Sequence, residues 1–430
     1  MVRVHVQTYG CAQNQSDGEA LKGLLERAGH ELSSEAEADV VVLNSCTVKS
    51  NPEQRLFHRI RHRSKPLVIA GCVPQAEPDD KHFEGLPLLG PKSLTKISEA
   101  VDAALAGEAP RYLDAVDEGR VTLPSVRTHS HIGIIPLNAG CLSSCSYCKT
   151  KHARGRLESY RPSDIERRFK ELVSDGVKEV WLTSQDTGAY GVDLGTDLPA
   201  LLERLLETEG DYRVRIGMAN PQRLPRYLDR LISVLRDERV FTFLHIPVQS
   251  GSDKVLRDMR RGYTAGTFRD VVKRLKDSLP GLTVATDVIV GYPTESEEDC
   301  EATAALIEEL RIPVVNVSKF YPRPGTPAAS LKLLPTKVVK ARTTRLKKRC
   351  EAVAARRNGS LVGQEQEVLI DEYGKHGTLV GRTRAYVQTV LPATAGRLGG
   401  LVKVKPSASG TYDLRCEEKD IYSTSPQTGQ

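Results

Sequence analysis

The feature that most constrains the fold is an alternation of short apolar runs with amphipathic segments over residues 1 to 100. The runs VRVHV, DVVVL and PLVIA have the length and composition of strands, and segments 17–29 and 51–63 between them have the pattern of helices. Strands that alternate with helices form a parallel sheet. We therefore predict an α/β protein with an open parallel-sheet domain at its N-terminus.

The composition excludes a disordered chain and a small disulfide-stapled scaffold. The chain has 430 residues, 39% of them hydrophobic and 27% charged, which is enough for about three globular domains. Its apolar runs are shorter than the ~18 residues that a membrane helix needs. The first residues, MVRVHVQTYG, lack the apolar core of a secretion signal. We expect a cytoplasmic protein without a membrane span.

Each of the three N-terminal strands runs into a turn and then a cysteine, at Cys11, Cys46 and Cys72. Ligands of open parallel sheets bind at the carboxyl ends of the strands. We therefore expect these three thiols to meet at one edge of the sheet. The alternative is three unrelated buried thiols.

A second alternating region predicts a parallel barrel. Its strands are expected near residues 132–138, 177–183, 212–218, 241–247, 282–290 and 314–319. These strand–helix units are fewer than those of a complete (β/α)8 barrel, so we predict a partial (β/α)6 barrel. Its catalytic groups should lie in the loops that follow the strands.

The C-terminal part of the chain changes character twice. Residues 336–357 hold nine Lys or Arg against one acid, on a chain whose net charge is +6; this favours a localised contact with a polyanion. Short β-rich pieces follow and predict a small antiparallel β-barrel. We expect an N-terminal domain (1–110), a linker (111–130), the barrel (131–332), a basic helix (333–357), the small β-barrel (358–422) and a disordered tail (423–430).

The strongest chemical motif is GCLSSCSYCKTKHARG, directly after the first barrel strand. Its Cys141, Cys145 and Cys148 form a CxxxCxxC pattern. Three thiolates at this spacing can bind a cubic [4Fe–4S] cluster and leave one iron open for a substrate or cofactor. The alternative is structural zinc, which normally takes four ligands, and no further Cys or His lies at a recognised spacing.

This motif resembles that of the radical S-adenosylmethionine (SAM) superfamily, in which the open iron binds SAM and electron injection yields a 5′-deoxyadenosyl radical. The resemblance places Tyr147 near the adenine of SAM. The segments YGCAQNQSD, LNSCTV, AGCVPQ, HIPVQSGSD and TDVIVGYP resemble the tRNA methylthiotransferases. The closing β-rich module resembles the RNA-binding TRAM domain, so the resemblance covers nearly the whole chain.

The resemblance implies two [4Fe–4S] clusters. It assigns Cys141, Cys145 and Cys148 to the radical SAM cluster, and Cys11, Cys46 and Cys72 to a second cluster. One SAM would methylate a sulfur held on the second cluster, and another would be cleaved to activate the substrate carbon. A radical is needed because the C–H bond of a heteroaromatic ring is too inert for acid–base chemistry.

Polar residues at the barrel strand ends are candidates for binding SAM. Ser184, Gln185 and Asp186 follow the second barrel strand, where members of this superfamily usually hold the methionyl amine. Each of the other candidates also fits ordinary strand-end hydrogen bonding. They are Asn220, His245, Gln249 and Arg261.

Three basic stretches are candidates for RNA contact. The helix at 336–357 lacks, in its own sequence, the acids of a salt-bridged helix; the alternative is a solvated basic face. RLFHRIRHRSK at 55–65 lies near Cys46. The C-terminal module mixes cations with an aromatic ring, as single-strand RNA binders do, at Lys375, Arg382, Arg384 and Tyr386.

The segments LTSQDTGAYG and SKFYPRPGTPAA look most like the archaeal and eukaryotic methylthiotransferases. The resemblance implies methylthiolation at C2 of N6-threonylcarbamoyladenosine at position 37 of tRNA. The threonyl carboxylate needs a cation, and the candidates are Arg154, Arg156 and Arg323. The alternative substrates are isopentenyladenosine in tRNA and an aspartate side chain of a ribosomal protein. An alternative without enzymatic activity is an RNA-binding protein with a structural metal site.

The expected partners are tRNA and an electron donor such as ferredoxin or flavodoxin. The tail STSPQTGQ is polar, so we expect a cytoplasmic protein without a membrane anchor. We also expect a monomer.

Overall fold

The computed structural model describes residues 1–47, 50–114 and 119–424, with the backbone alone for residues 50–52, 423 and 424. Most of the predicted disordered tail lies outside the described residues, as does the middle of the predicted linker. None of the described helices is both long enough and apolar enough to cross a membrane.

The N-terminal domain is an open parallel sheet with helices on both faces. Its strands are β1 (Arg3–Thr8), β2 (Glu31–Leu32), β3 (Val40–Ser45), β4 (Leu67–Gly71), β5 (Leu88–Leu89) and β6 (Arg111–Tyr112), and its helices are α1 (Ala12–Arg27), α2 (Ser50–Arg61), α3 (Cys72–Ala76) and α4 (Ile97–Ala106). The strands pair in the order β2-β1-β3-β4-β5-β6, all parallel. The sheet therefore extends into the segment that the sequence predicts as a linker.

The central strand of this sheet, β3, is buried along its whole length. Val40 and Val42 pack into one apolar cluster with residues of α1 and α4. Val41 and Leu43 pack into another with residues of α2. This two-sided burial explains the continuous apolar run in the sequence.

The predicted strands of the central barrel are all present. They are β7 (Ile132–Pro136), β10 (Glu179–Thr183), β11 (Arg213–Ile216), β12 (Phe243–His245), β13 (Thr283–Val290) and β14 (Val314–Lys319), with a short hairpin of β8 (Asn138–Ala139) and β9 (Glu158–Ser159). The helices are α5 (Thr150–Arg154), α6 (Pro162–Ser174), α7 (Leu198–Leu205), α8 (Leu228–Leu235), α9 (Asp253–Asp258), α10 (Ala265–Ser278) and α11 (Glu297–Glu309). The barrel strands pair in parallel as β11-β10-β7 and β12-β13-β14, and a parallel bridge between Val214 and Val240 joins the two sets.

The barrel is open beside β14. Within the described residues this strand pairs on one side, with β13. Val315 and Val317 pack against the barrel core, whereas Val314 and Asn316, on the other face of the strand, are exposed. This is the geometry of the partial barrel that the sequence predicts.

The C-terminal part consists of one long helix and an antiparallel-rich sheet. The elements are α12 (Thr336–Gly359), β15 (Gln366–Tyr373), β16 (Leu379–Thr383), β17 (Gln388–Leu391), β18 (Leu401–Val404), β19 (Ala408–Ser409), β20 (Asp413–Arg415) and β21 (Ile421–Thr424). The strand order is β19-β20-β17-β16-β15-β18-β21, and the pair β17–β20 is parallel.

The C-terminal sheet covers the amino-terminal end of the barrel. The Thr242 amide, just before β12, donates to the carbonyl of Arg384 at 2.8 Å. The Tyr386 hydroxyl donates at 3.0 Å to Glu179, the first residue of β10. The carboxyl ends of the strands, where ligands bind, are thus at the end away from this sheet.

This docking gives partners within the chain to Arg382, Arg384 and Tyr386, which the sequence predicts to contact RNA. The ring centroid of Tyr386 lies 4.8 Å from that of Phe241 in the barrel. Arg382 donates to the Asp371 carboxylate at 2.9 Å. Cations beside an aromatic ring suit an interface within the chain as well as one with RNA. Lys375 is exposed, and its RNA contact stays a prediction.

The basic helix α12 is partly neutralised, contrary to the expectation from its own sequence. Arg342 lies 2.9 Å from Glu295, and Arg349 lies 2.6 Å from Glu308. These acids belong to α11 or directly precede it, so a reading of the helix alone misses them. The exposed lysines without an ion pair among the described residues are Lys337, Lys340, Lys347 and Lys348.

Candidate active site

The CxxxCxxC segment forms a loop between β8 and α5. Gly140 has a φ of +69°, and a Cβ there would lie 1.8 Å from the carbonyl oxygen of Arg156. Glycine is needed because the two ends of the loop pass so close to each other. The Cys141 amide donates to the carbonyl of Gly155 at 3.3 Å. The loop presents three half-buried free thiols, those of Cys141, Cys145 and Cys148.

A hydrogen-bonded network connects this loop to the ends of the next strands. Arg261 donates to the sulfur of Cys145 at 3.0 Å and to the side-chain oxygen of Asn220 at 2.5 Å. The backbone N–H of Asn220 donates to the Asp186 carboxylate at 2.9 Å. Asp186 and Asn220 follow β10 and β11. The structure therefore brings three of the residues predicted to bind SAM together beside Cys145.

Burial shifts the proton affinity of this network. It raises the pKa of Asp186 to about 6, an effect opposed by the Asn220 amide and by Arg261. It also raises the pKa of the Cys141 thiol to about 11, and Asp186 adds to that shift. Such shifts are typical of functional sites. A metal ion that binds Cys141 must displace its proton.

The other candidates for SAM binding lie around this network. Ser184 accepts a hydrogen bond from the Asp186 amide at 2.9 Å. The side-chain oxygen of Gln185 is buried without a hydrogen-bond partner among the described residues. Gln249 is buried at a φ of +66°, a conformation that surrounding structure must enforce and that is common at functional sites.

Tyr147, within this loop, forms part of an apolar wall. It packs with Met259 and Tyr292, and the Tyr292 hydroxyl bonds to that of Ser146 at 2.9 Å. Tyr292 comes from the TDVIVGYP segment. An aromatic wall of this kind suits a flat ring such as adenine.

A polar row crosses β12, β13 and β14. The Nε2 atom of His245 lies 3.0 Å from one Asp287 oxygen, and the other oxygen accepts from Asn316 at 2.9 Å. Of these three residues, the sequence predicts only His245 as a site residue. Asn316 stands between Val315 and Val317, and Asp287 follows Thr286 in the otherwise apolar run TDVIV; a polar residue within an apolar strand is the available signal.

The N-terminal cysteines lie at the ends of β1, β3 and β4 and gather around the start of α1. A Cβ on Gly10 would lie 2.9 Å from the Cys46 sulfur, so Cys46 touches the residue before Cys11. The side-chain oxygen of Asn14 lies 3.5 Å from the Cys11 sulfur and 3.9 Å from the Cys72 sulfur. These three thiols, far apart in sequence, share one site.

Backbone contacts hold Asn14 in that position. Its side-chain amide donates to the Ser45 carbonyl at 2.7 Å, and its own carbonyl accepts from Asn44 at 2.8 Å. Gly71 has a φ of +95°, and a Cβ there would lie 2.4 Å from the Ser45 oxygen. The strands approach each other closely at the point where the cysteines follow. Asn14 is not among the residues predicted from the sequence, although it lies inside the YGCAQNQSD motif.

Arg154 joins the N-terminal set to the barrel. Its Nε donates to the Cys72 sulfur at 3.2 Å, and its Nη2 donates to Asp17 at 2.5 Å. Arg120 also lies 3.2 Å from Asp17. Arg154, Asp17 and Arg120 are 2%, 0% and 4% exposed. This buried group has a net positive charge beside Cys72, and no local sequence pattern indicates that these charges meet.

The thiols of this set differ in acidity. A hydrogen bond with Cys46 lowers the pKa of Cys11 to about 6, and Arg154 contributes to that shift. Burial raises the pKa of Cys72, while Arg154 opposes the rise. An acidic thiol next to a cation is the environment that favours a thiolate ligand.

The two cysteine sets are neighbours. Helix α5, which follows Cys148, packs against α3, which begins with Cys72, and Lys149 pairs with Glu77 at this contact. Among the described residues no three Cys, His, Asp or Glu side chains converge on one metal-ion position. The thiols of a cubic cluster bind different irons and need no common point, so both sets fit such a cluster.

Comparison with known proteins agrees with this architecture. Sequence profiles match three parts of the chain: the radical SAM superfamily at residues 135–307, an uncharacterized protein family, UPF0004, at 3–86, and the TRAM domain at 359–407. The radical SAM match contains the CxxxCxxC loop and the Asp186 network. An iron–sulfur cluster and SAM are therefore cofactors of this chain.

Solved structures share the fold at low sequence identity. The radical SAM methyltransferase TsrM from Kitasatospora setae, in a structure with tryptophan and a SAM analogue, superposes with a TM-score of 0.55 at 16% identity, over 76% of this chain and 75% of that one. The cobalamin-dependent radical enzyme OxsB gives a TM-score of 0.51 at 13% identity, over 82% of this chain and 56% of that one.

Curated relatives match the chain over nearly its full length. The threonylcarbamoyladenosine tRNA methylthiotransferase of Danio rerio is 40% identical over 99% of this chain and 81% of its own length. The Homo sapiens protein of that name is 39% identical over 96% of this chain and 73% of its own length. A Pyrococcus horikoshii protein named "Probable threonylcarbamoyladenosine tRNA methylthiotransferase" is 40% identical over 96% of this chain and 99% of its own length. The chain belongs to this family of radical SAM tRNA methylthiotransferases.

Proposed function

We propose that this chain adds a methylthio group to C2 of N6-threonylcarbamoyladenosine at position 37 of tRNA, with SAM as both methyl donor and radical source. The observation that carries the proposal is the placement of two three-cysteine sets side by side, joined by the hydrogen bond from Arg154 to Cys72. The relatives that cover most of the chain carry the name of this activity.

The barrel site would hold the radical SAM cluster through Cys141, Cys145 and Cys148. With SAM bound, the cluster supplies a 5′-deoxyadenosyl radical. Arg261 fixes the Cys145 sulfur and Asn220 in one hydrogen-bonded unit. The Asp186 carboxylate, turned toward that unit, offers an acceptor for the methionyl ammonium, and the wall around Tyr147 shields the adenine from water.

The N-terminal site would hold a second [4Fe–4S] cluster through Cys11, Cys46 and Cys72. Asn14 spaces the Cys11 and Cys72 sulfurs, and Arg154 places a positive charge against Cys72. A cation hydrogen-bonded to a sulfur ligand stabilises the thiolate form that binds iron.

The threonyl carboxylate of the substrate needs a cation that no acid already neutralises. Arg154 is paired with Asp17, and Arg323 lies 2.5 Å from Glu53. Arg156 is exposed, two residues after Arg154, and has no ion pair among the described residues. The pairing pattern therefore favours Arg156 as the residue that binds the carboxylate.

The remaining parts of the proposal concern partners and organisation. The tRNA would bind across the exposed lysines of α12 and the basic face of α2. An electron donor of the ferredoxin or flavodoxin type would serve the barrel site, in a cytoplasmic monomer. The predicted domain division stands within this proposal, with the N-terminal domain extended to Tyr112 because β6 belongs to its sheet.

The test uses anaerobically reconstituted protein and three tRNA substrates that carry threonylcarbamoyladenosine, isopentenyladenosine or unmodified adenosine. Mass spectrometry of the digested tRNA should show a methylthio group on the first and little on the other two. Arg156→Gln should raise the KM for the first tRNA and leave SAM cleavage without tRNA unchanged. Preferential reaction of the isopentenyl tRNA, or of a ribosomal protein in a parallel assay, would overturn the proposal.

A further inference from the structure

A cavity with a mixed apolar and polar lining lies at the amino-terminal end of the barrel, where α10, α12 and the C-terminal sheet meet. Its apolar side comes from Leu279, Leu282, Leu361 and Ala385. Its volume is about 410 Å³, and Lys276 and Arg357 both line it. Ser360, Gln364 and Gln366 add a hydroxyl and two amides to its wall. None of the residues that line it is acidic.

Arg357 has no counter-charge in this cavity. Its guanidinium donates to the hydroxyl of Thr283, the first residue of β13, at 2.6 Å and to the side-chain oxygen of Asn358 at 3.2 Å. Both partners are neutral, and within the described part of the chain no carboxylate lies at ion-pair distance. Burial lowers the pKa of Arg357 to about 10. By contrast Arg342 and Arg349 on the same helix are paired with acids.

Lys276 is in the same situation on the other wall. Its ammonium donates to the backbone carbonyls of Leu310 at 2.5 Å and Arg311 at 3.1 Å, which lie at the C-terminal end of α11 and offer partial negative charge but no carboxylate. Burial lowers its pKa, and the charges of Arg357 and Arg311 lower it further. The neighbouring Lys273 instead has an acid partner, Glu309, at 2.8 Å.

Two half-buried cations that repel each other across a cavity are costly unless an anion joins them. Lysine has three N–H donors and arginine has five, so each has donors left after the bonds described above. A ligand with several acceptor oxygens and negative charge matches this set, and a phosphate group has that chemistry.

We propose that the cavity between α10, α12 and the C-terminal sheet is a phosphate-binding site, built by Lys276 and Arg357. The phosphate is either a phosphodiester of the bound RNA or a free phosphate ion. The site lies at the amino-terminal end of the barrel, away from both cysteine sets. Its existence therefore does not depend on the proposed reaction.

The RNA arm of the test measures the affinity of the full chain for tRNA across a series of monovalent salt concentrations. Lys276→Gln and Arg357→Gln should each reduce the salt slope by about 0.9, which is roughly an eightfold loss of affinity at 0.1 M salt. Lys273→Gln is the matched control on α10 and should change neither quantity. Arg357→Lys keeps the charge and should retain most of the affinity, which separates charge from folding.

The second arm measures the melting temperature of the full chain in inorganic phosphate and in chloride of equal ionic strength. Phosphate should stabilise the wild type more than the Lys276→Gln variant if the ligand is a free ion. If Lys276→Gln and Arg357→Gln change the salt slope of tRNA binding but not the stabilisation by phosphate, the site binds a phosphodiester of RNA. If both arms leave Lys276→Gln and Arg357→Gln indistinguishable from Lys273→Gln, the phosphate site is refuted.

Discussion

The two cysteine sets are built in opposite ways. Cys141, Cys145 and Cys148 come from one loop, and all three thiols are half-buried. The N-terminal thiols come from three strand ends and depend on the packing of a whole sheet. Yet the two sets share one feature, an arginine that donates a hydrogen bond to a cysteine sulfur. Arg261 donates to Cys145 at 3.0 Å, and Arg154 donates to Cys72 at 3.2 Å.

The difference suggests a division of labour. A local loop can keep its geometry when the remainder of the molecule changes, and it can leave room for a small cofactor beside it. A site assembled from strand ends is rigid and is coupled to the fold of its domain. Arg154 belongs to the segment directly after the loop but binds the strand-end set, so it connects the two sets, in addition to the ion pair between Lys149 and Glu77.

The largest expected effect comes from removing one thiol of each set. Cys141→Ala should abolish SAM cleavage, because the radical SAM cluster loses a ligand. Cys46→Ala should abolish methylthiolation but retain uncoupled SAM cleavage. The measurements are 5′-deoxyadenosine by chromatography, methylthio nucleoside by mass spectrometry, and iron content.

The matched control is Cys350→Ala, a thiol buried in α12 outside both sets. It should leave all three measurements near the wild-type values. A Cys46→Ala variant with full iron content would remove the second cluster from the proposal.

The next effect compares the two arginines. Arg261→Gln should reduce SAM cleavage by about 10- to 100-fold and spare iron at the N-terminal set, because groups that orient metal ligands typically contribute that much. Arg154→Gln should reduce the iron content of the N-terminal set and spare SAM cleavage. The free energy of unfolding should fall by less than the ~3–5 kcal/mol typical of a broken buried ion pair, because Arg120 still pairs with Asp17.

The measurement for Arg154 uses a background in which Cys141, Cys145 and Cys148 are all alanine, so that iron content reports the N-terminal set alone. Arg156→Gln is the control, an exposed arginine two residues away. Equal iron content in the Arg154→Gln and Arg156→Gln variants would break the comparison between the two sets.

Most of this architecture could be predicted because it is local in sequence. The apolar run DVVVL specifies a strand buried on both faces, and the cysteine after it then falls at the carboxyl edge of the sheet. The CxxxCxxC spacing carries its chemistry within one loop. The relation between Asp17 and Arg154 could not be predicted, because 137 residues separate them.

Distance along the chain also explains why the sequence predicts neither the ion pairs of α12 nor the position of Tyr386. The acids that neutralise α12 lie 41 to 48 residues before their arginines. A prediction from the sequence of the helix alone therefore does not include them. Tyr386 inserts between the C-terminal sheet and the barrel, and an interface between domains leaves no periodic signal. Removing residues 358–430 would therefore uncover the barrel end as well as any RNA-binding surface, so point substitutions are the cleaner test.

A smaller effect comes from the glycines that bring the thiols into place. Gly140→Ala and Gly71→Ala should each destabilise the fold by more than about 1 kcal/mol, because alanine disfavours a positive φ and its Cβ would meet backbone at 1.8 Å and 2.4 Å respectively. Gly140→Ala should lose iron from the barrel set, and Gly71→Ala from the N-terminal set.

The control for these variants is Gly176→Ala, at a φ of +79° with no neighbouring atom within 4 Å. The Gly176→Ala variant has the unfavourable positive φ but no steric contact of the new Cβ atom, so its iron content should equal that of the wild type. Chemical denaturation gives the free energy of unfolding, and iron analysis gives the cluster. Iron loss in Gly176→Ala to the same extent would mean that general destabilisation, and not local crowding, controls loading.

The smallest expected effect tests whether tRNA reaches the chemistry across the N-terminal set. Helix α2 begins shortly after Cys46, and its Arg55 and Arg61 are exposed without an ion pair among the described residues. Arg59 on the same helix is already paired with Glu35.

If the RNA backbone crosses this face, Arg55→Gln and Arg61→Gln should each lower the salt slope of tRNA binding by about 0.9, roughly a fivefold loss of affinity near 0.15 M salt. Arg59→Gln should change it much less, because its charge is neutralised before RNA arrives. Equal slopes for all three variants would place the path of the tRNA elsewhere, and the exposed lysines of α12 would be the next surface to test.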